Sequence, residues 1–152
     1  MRGGKIIVTR LAEPDIGGWH DVISIVDRGR VVYSGMCSIS PNPFRPSDNK
    51  PWWEVYGALE IGREYTYHVE PAHPRFGKCL LINRGEPVGA MNPNPNHGGK
   101  RILTEIFIHC ANVGGVSDQW RGSAGCITIP RHEWEAFIAM FGNHERGEIW
   151  LR

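Results

Sequence analysis

Most hydrophobic positions along the chain recur at every second residue, the spacing of strands with one face buried. KIIVT at 5–9 predicts a first strand, broken by the Gly17, Gly18 pair. VISIV and RVVYSGMCSI, between Asp21 and Ser40, are β-branched runs that meet at Asp27, Arg28 and Gly29. Gly29 can take the positive φ of a tight turn, so this stretch predicts an antiparallel hairpin. Residues 57–72 alternate around Tyr65, Tyr67 and Val69 and predict another strand, and CLLIN at 79–83 predicts a buried one. ILTEIFI at 102–108 alternates at Ile106 and Ile108 and delivers His109 at its end, while Ile127 and Ile129 flank Thr128 in a further strand. The period then changes. Trp134, Phe137, Ile138 and Phe141 stand at i, i+3, i+4 and i+7, an amphipathic helix that Pro130 can open and Gly142 ends. GEIWLR closes the chain as a short strand, and no internal repeat is visible. The fold class expected is mainly β: a mixed, sandwich-like sheet with that helix packed on it by its apolar stripe.

Two stretches interrupt the pattern. Residues 41–53, PNPFRPSDNKPWW, carry four prolines among polar residues and predict a loop without a regular ladder. Trp52 and Trp53 would pack it, either as a cap on the core or as a lid over a site. Residues 91–101, rich in Asn, Pro and Gly, predict a second loop with a solvated His97. His68 and His73 are read as hydrogen-bonded surface or core residues, since metal sites need several ligands converging.

Composition narrows the function. The 152 residues suit a single domain spanning 1–152. Lys and Arg number 17 against 16 Asp and Glu, a net charge of +1 without the basic excess that nucleic-acid binding needs. No apolar run approaches the roughly 20 residues that span a bilayer, and mean hydropathy is −0.33, so a soluble protein without a transmembrane segment is expected. MRGGKIIVTRLAEPD lacks the apolar stretch of a signal peptide, so the native chain either has none or carries it beyond this sequence. Cys37, Cys79, Cys110 and Cys126 form no CxxC pair, which argues against a zinc knuckle or a thioredoxin-type motif. An oxidising space would permit one disulfide, Cys37 with Cys79 being one choice.

The candidate chemistry lies in IFIHCANVGGVSDQWRGSAGCITIP, where His109 and Cys126 flank a Gly-rich loop, 17 positions apart (126 − 109). A β-loop-β connection can fold such a pair into contact. An imidazole that takes the thiol proton makes the thiolate nucleophile and later returns the proton to a leaving amine. Gly125 permits a tight turn in which the N–H groups of Ala124, Gly125 and Cys126 converge as an oxyanion hole, and the Ser123 hydroxyl can fix the loop. The plainer reading of the same residues is a small buried thiol and a structural histidine.

This stretch resembles the signature of the L,D-transpeptidase catalytic domain, the YkuD type. There a strand-borne histidine is followed, after a Gly-rich loop, by Ser or Thr, one residue, Gly and the nucleophilic Cys. Ile108 and His109, then Ser123, Gly125, Cys126 and Ile127, match it, and the hairpin VISIVDRGRVVYSG and the segment YGALEIGREYTY occupy similar places. Ala124 stands where the family commonly has His, Thr128 where it often has Arg or Asn, and Cys110 where Gly or Ser is usual, which marks a divergent branch similar to phage-associated proteins and secreted antibacterial effectors. The resemblance implies an acyl transfer without cofactor or metal. Cys126, with His109 as base, would attack the carbonyl of the third residue of a peptidoglycan stem peptide, release D-alanine and hold a thioester. An amine would then complete a cross-link or D-amino-acid exchange, and water an L,D-carboxypeptidase reaction. It also implies that the backbone carbonyl of Cys110 orients the imidazole, that the protein acts in the periplasm or cell wall, and, for an effector, that an immunity or secretion partner exists. Trp120 and Arg121 are candidates for holding sugar or carboxylate, or else pack and solvate the loop. A Cys110–Cys126 redox pair is disfavoured, because adjacent strand residues face opposite ways. The alternatives are another peptidoglycan cysteine peptidase or amidase, and a non-catalytic cell-wall-binding module of the same fold.

Overall fold

A computed structural model describes residues 4–11, 19–39, 44–45, 50–51, 58–91, 100–111 and 126–152. The strands are β1 (Lys5–Thr9), β2 (Asp21–Asp27), β3 (Arg30–Cys37), β4 (Phe44–Arg45), β5 (Lys50–Pro51), β6 (Ala58–Leu59), β7 (Glu64–His73), β8 (Gly77–Ile82), β9 (Val88–Met91), β10 (Lys100–Leu103), β11 (Phe107–Cys110), β12 (Ile127–Ile129) and β13 (Arg146–Leu151). Helix α1 (Arg131–Ile138) lies between β12 and β13.

Eight strands form one mixed sheet in the order β12-β11-β8-β7-β13-β1-β2-β3. Its parallel pairs are β1 with β13 and β11 with β12. The sheet is continuous, and its two ends meet. Just past β3, Ser38 bridges antiparallel to Thr128 of β12, with the Ser38 N–H donating to the Thr128 carbonyl at 2.9 Å and the Thr128 N–H to the Ser38 carbonyl at 3.0 Å. The closed sheet surrounds a core of Ile6, Val8, Ile23, Ile25, Leu80, Ile82, Ile108, Ile127, Ile129 and Ile149, all essentially without exposure. Alternation along each strand supplies these residues. Trp134, Phe137 and Ile138 of α1 join the core, and Phe137 meets the Tyr33 ring edge-on at 5.5 Å.

The mainly β fold, the first strand, the 21–37 hairpin and the closing strand match the sequence pattern. The hairpin turn uses positive φ at both Arg28 and Gly29, the conformation whose twist matches the flanking strands. Several boundaries differ. The 57–72 stretch divides at the turn of Ile61 and Gly62 (φ 79°), which sends β6 into a separate sheet with β9 and β10. Residues 102–108 divide at Glu105 (φ 52°), so Ile102 is exposed in β10 while Phe107 begins β11. CLLIN ends as a strand at Ile82, because Asn83, Arg84 and Gly85 take left-handed backbone in a 3-10 turn. The two loops expected to lack ladders contain short ones: β4 pairs with β5, Pro51 standing at the ladder's end, and β9 pairs with β10 through Met91 and Lys100. Helix α1 stops at Ile138, yet Phe141 is still buried through the following turn, its ring 5.6 Å from that of Tyr67. Gly17, Gly18, Trp52, Trp53 and His97 lie outside the described residues.

All four cysteines are thiols. Cys37 points into the core, whereas Cys79 alternates with the core residues Leu80 and Ile82 and faces the other way. Their strands, β3 and β8, stand three spacings apart around the closed sheet, roughly 14 Å, too far for the Cys37–Cys79 disulfide.

Candidate active site

The site begins with strand register. Ile108 pairs with Ile127 and His109 with Thr128, so the parallel ladder carried back one residue sets Cys126 beside Phe107. The Phe107 N–H donates to Cys126 Sγ at 3.4 Å. His109 is two positions further along β11, on the face that Phe107 shares and opposite the core-facing Ile108. The candidate base on β11 and the candidate nucleophile just before β12 are therefore carried by neighbouring chain segments, although 17 positions separate them in the sequence (126 − 109).

His109 has no exposed surface. Its Nδ1 lies 2.7 Å from the backbone oxygen of Cys110, the carbonyl named above for that place. A carbonyl only accepts, so Nδ1 carries the proton and Nε2 presents its lone pair. Among the described residues nothing hydrogen-bonds Nε2. Burial pushes His109 down to about 4, and the Arg75 charge acts the same way against the opposing pull of the Cys110 carbonyl. Cys126 keeps some surface, but burial pushes its thiol up to about 11, against the lowering effects of the Phe107 N–H and Arg75. The resting pair is a neutral thiol and a neutral imidazole. A standing thiolate, which the Cys–His pattern by itself would suggest, is disfavoured here because burial penalises both charged forms.

Residues from outside the motif complete the face. The turn between β7 and β8 carries Phe76, whose ring stacks on His109 at 4.1 Å and 13°. Phe76 also stacks on His73 at 4.8 Å, and His73 meets the edge of Phe107 at 4.9 Å. The His73 Nδ1 accepts the N–H groups of Arg75 (3.1 Å) and Phe76 (3.2 Å), which fixes the turn. On the other side, Trp19 Nε1 donates to Thr128 Oγ1 at 3.2 Å, directly across from His109 in register. Cys79 falls on this same face of β8, where burial pushes its thiol up to about 12. Cys110 turns away from it and donates its S–H to the Ala111 carbonyl at 3.3 Å. Ser123, Ala124, Gly125, Trp120 and Arg121 lie outside the described residues.

His73, Phe76 and Trp19 went unrecognised as site residues because each is remote in sequence from His109 and Cys126. One signal was present: PRFG at 74–77 joins two predicted strands, and a hairpin there brings its turn beside β11.

Comparison with protein-family models, curated proteins and solved structures gives no match. Among the described residues, no helix is long and apolar enough to cross a membrane.

Proposed function

We propose that this chain is a cysteine-dependent acyl transferase of peptidoglycan stem peptides, with an L,D-transpeptidase-like fold and its site of action in the periplasm or cell wall. One observation supports the proposal: His109 is anchored through Nδ1 to the Cys110 carbonyl and offers an Nε2 that no described residue hydrogen-bonds, on the strand whose Phe107 N–H meets Cys126 Sγ. That is the arrangement a general base needs, with the tautomer fixed on one side and proton-accepting capacity on the other.

In the proposed reaction the Cys126 thiol transfers its proton to His109 Nε2 as sulfur adds to the carbonyl of the third stem residue. The C–N bond breaks, D-alanine takes the proton on its nitrogen, and a thioester remains. An incoming amine or water then attacks the thioester and gives its proton to His109. Sulfur departs and is reprotonated. Because the resting pair is neutral, the thiolate exists only during the step, stabilised by the Phe107 N–H and the Arg75 charge.

The test is incubation with disaccharide-tetrapeptide fragments of peptidoglycan, followed by mass spectrometry. Wild type is expected to remove the terminal D-alanine or replace it with an added D-amino acid. Cys126→Ala should do neither, and His109→Gln should be slower by about 10²–10⁴-fold. Cleavage of another bond would assign a different cysteine peptidase or amidase. Unchanged fragments together with wall binding would assign a non-catalytic module.

A further inference from the structure

The β7–β8 turn brings to the site a cation that no sequence motif places there. The Arg75 and Phe76 amides are tied to His73 Nδ1, His73 is held between the Phe76 and Phe107 rings, and Phe76 lies flat on His109. The backbone of the turn is thus fixed against the catalytic face. Arg75 is exposed, its Cζ 5.5 Å from the centre of the Phe76 ring, and it forms no ion pair among the described residues. Its charge reaches both reacting groups, lowering the Cys126 thiol and the His109 imidazole. Thr128, across from His109 in register, accepts from Trp19 and carries no charge.

We propose that Arg75 reads the free terminal carboxylate of the acyl donor, so that the site selects a peptide bond one residue from a C-terminus. The inference rests on the acyl-transfer reading above and names the residue that sets its specificity. A guanidinium is always charged and presents paired N–H donors that match the two oxygens of a carboxylate. On this exposed turn no neighbouring carboxylate competes for it among the described residues. A bound D-alanine carboxylate would leave the preceding carbonyl toward Cys126 and His109, whereas a chain continuing past that residue would set an uncharged amide against the arginine.

Two measurements test it. The first compares alkylation of Cys126 by iodoacetate and by neutral iodoacetamide, located by peptide mapping, in wild type, Arg75→Gln and Arg75→Lys. The iodoacetate-to-iodoacetamide rate ratio is expected to fall by about tenfold in Arg75→Gln and to be partly kept in Arg75→Lys. An equal ratio in wild type and Arg75→Gln would overturn the proposal. The second compares kcat/KM for a stem tetrapeptide and its C-terminal amide. Wild type should prefer the acid by about tenfold or more, and Arg75→Gln should bring the preference to about one. Should the variant fail to fold, equal wild-type rates on acid and amide are enough to overturn the inference. An altered iodoacetate ratio without peptide turnover would sustain the carboxylate site and reject the acyl-transfer reading. Turnover indifferent to the carboxylate would do the reverse.

Discussion

At His109, burial and tautomer act together. The side chain is fully enclosed, one nitrogen is spent on the Cys110 carbonyl, and the imidazole is held neutral down to about pH 4. The unfolded chain would bind a proton at the ordinary histidine value near 6.5. Between pH 6.5 and 4 the unfolded state therefore holds more protons, and stability falls as the pH is lowered through that window. The penalty approaches about 3 kcal/mol below pH 4 and is absent above the ordinary value. Urea midpoints at pH 4, 5 and 7 should show this loss in wild type, and His109→Gln should lack that component. At Gly147 the constraint is steric. A Cβ there would meet the Gly4 carbonyl oxygen and come within 2.8 Å of the Tyr67 hydroxyl, which donates to that same oxygen at 2.8 Å. The close crossing of β1, β7 and β13 leaves no room for a methyl group. Gly147→Ala is expected to cost about 1–3 kcal/mol in denaturant unfolding, the cost of overpacking a filled site.

Among the elements, the short parallel pair β11 and β12 does most to create the site. Neither strand is distinctive alone: β12 has three residues and β11 four. Their register sets His109 across from Thr128 and Cys126 beside Phe107. The β7–β8 hairpin then sets a stacked imidazole and phenyl ring over His109. Helix α1 is tied to β3 by Glu133, whose Oε2 accepts the Met36 N–H at 2.7 Å and the Tyr33 hydroxyl at 3.4 Å. Gly35 leaves space for that carboxylate, since a Cβ there would collide with it.

At the scale of the whole molecule, closure of the sheet decides what β12 can do. β12 is held on one side by β11 and on the other by the Ser38 bridge, and Asp21 secures the neighbouring segment by accepting the Ile39 N–H at 3.0 Å and the Leu11 N–H at 2.9 Å. Replacing Ser38 by proline removes the N–H that donates to Thr128. Ser38→Pro should cost about 1–3 kcal/mol and speed hydrogen exchange at Thr128 far more than at Ile25 in β2. Equal acceleration at both would show that the bridge is not what holds β12.

Much of this was written in the chain, because its carriers are local. Alternation marked β1, β2, β3 and β13, the Asp27–Gly29 turn fixed one hairpin, and the i, i+3, i+4 stripe located α1. His109 and Cys126 stood out by residue type and by their places at strand ends. Positive φ at Glu105 and Asn83 could not be read in advance, because nothing in those residue types demands left-handed backbone. Sheet order, closure at Ser38 and Thr128, and the stacking of Phe76 on His109 depend on strands distant in sequence meeting in one register. The neutrality of the resting pair has the same origin. A sequence shows which groups can ionise, but the burial that suppresses their charges exists only once the surrounding strands have packed.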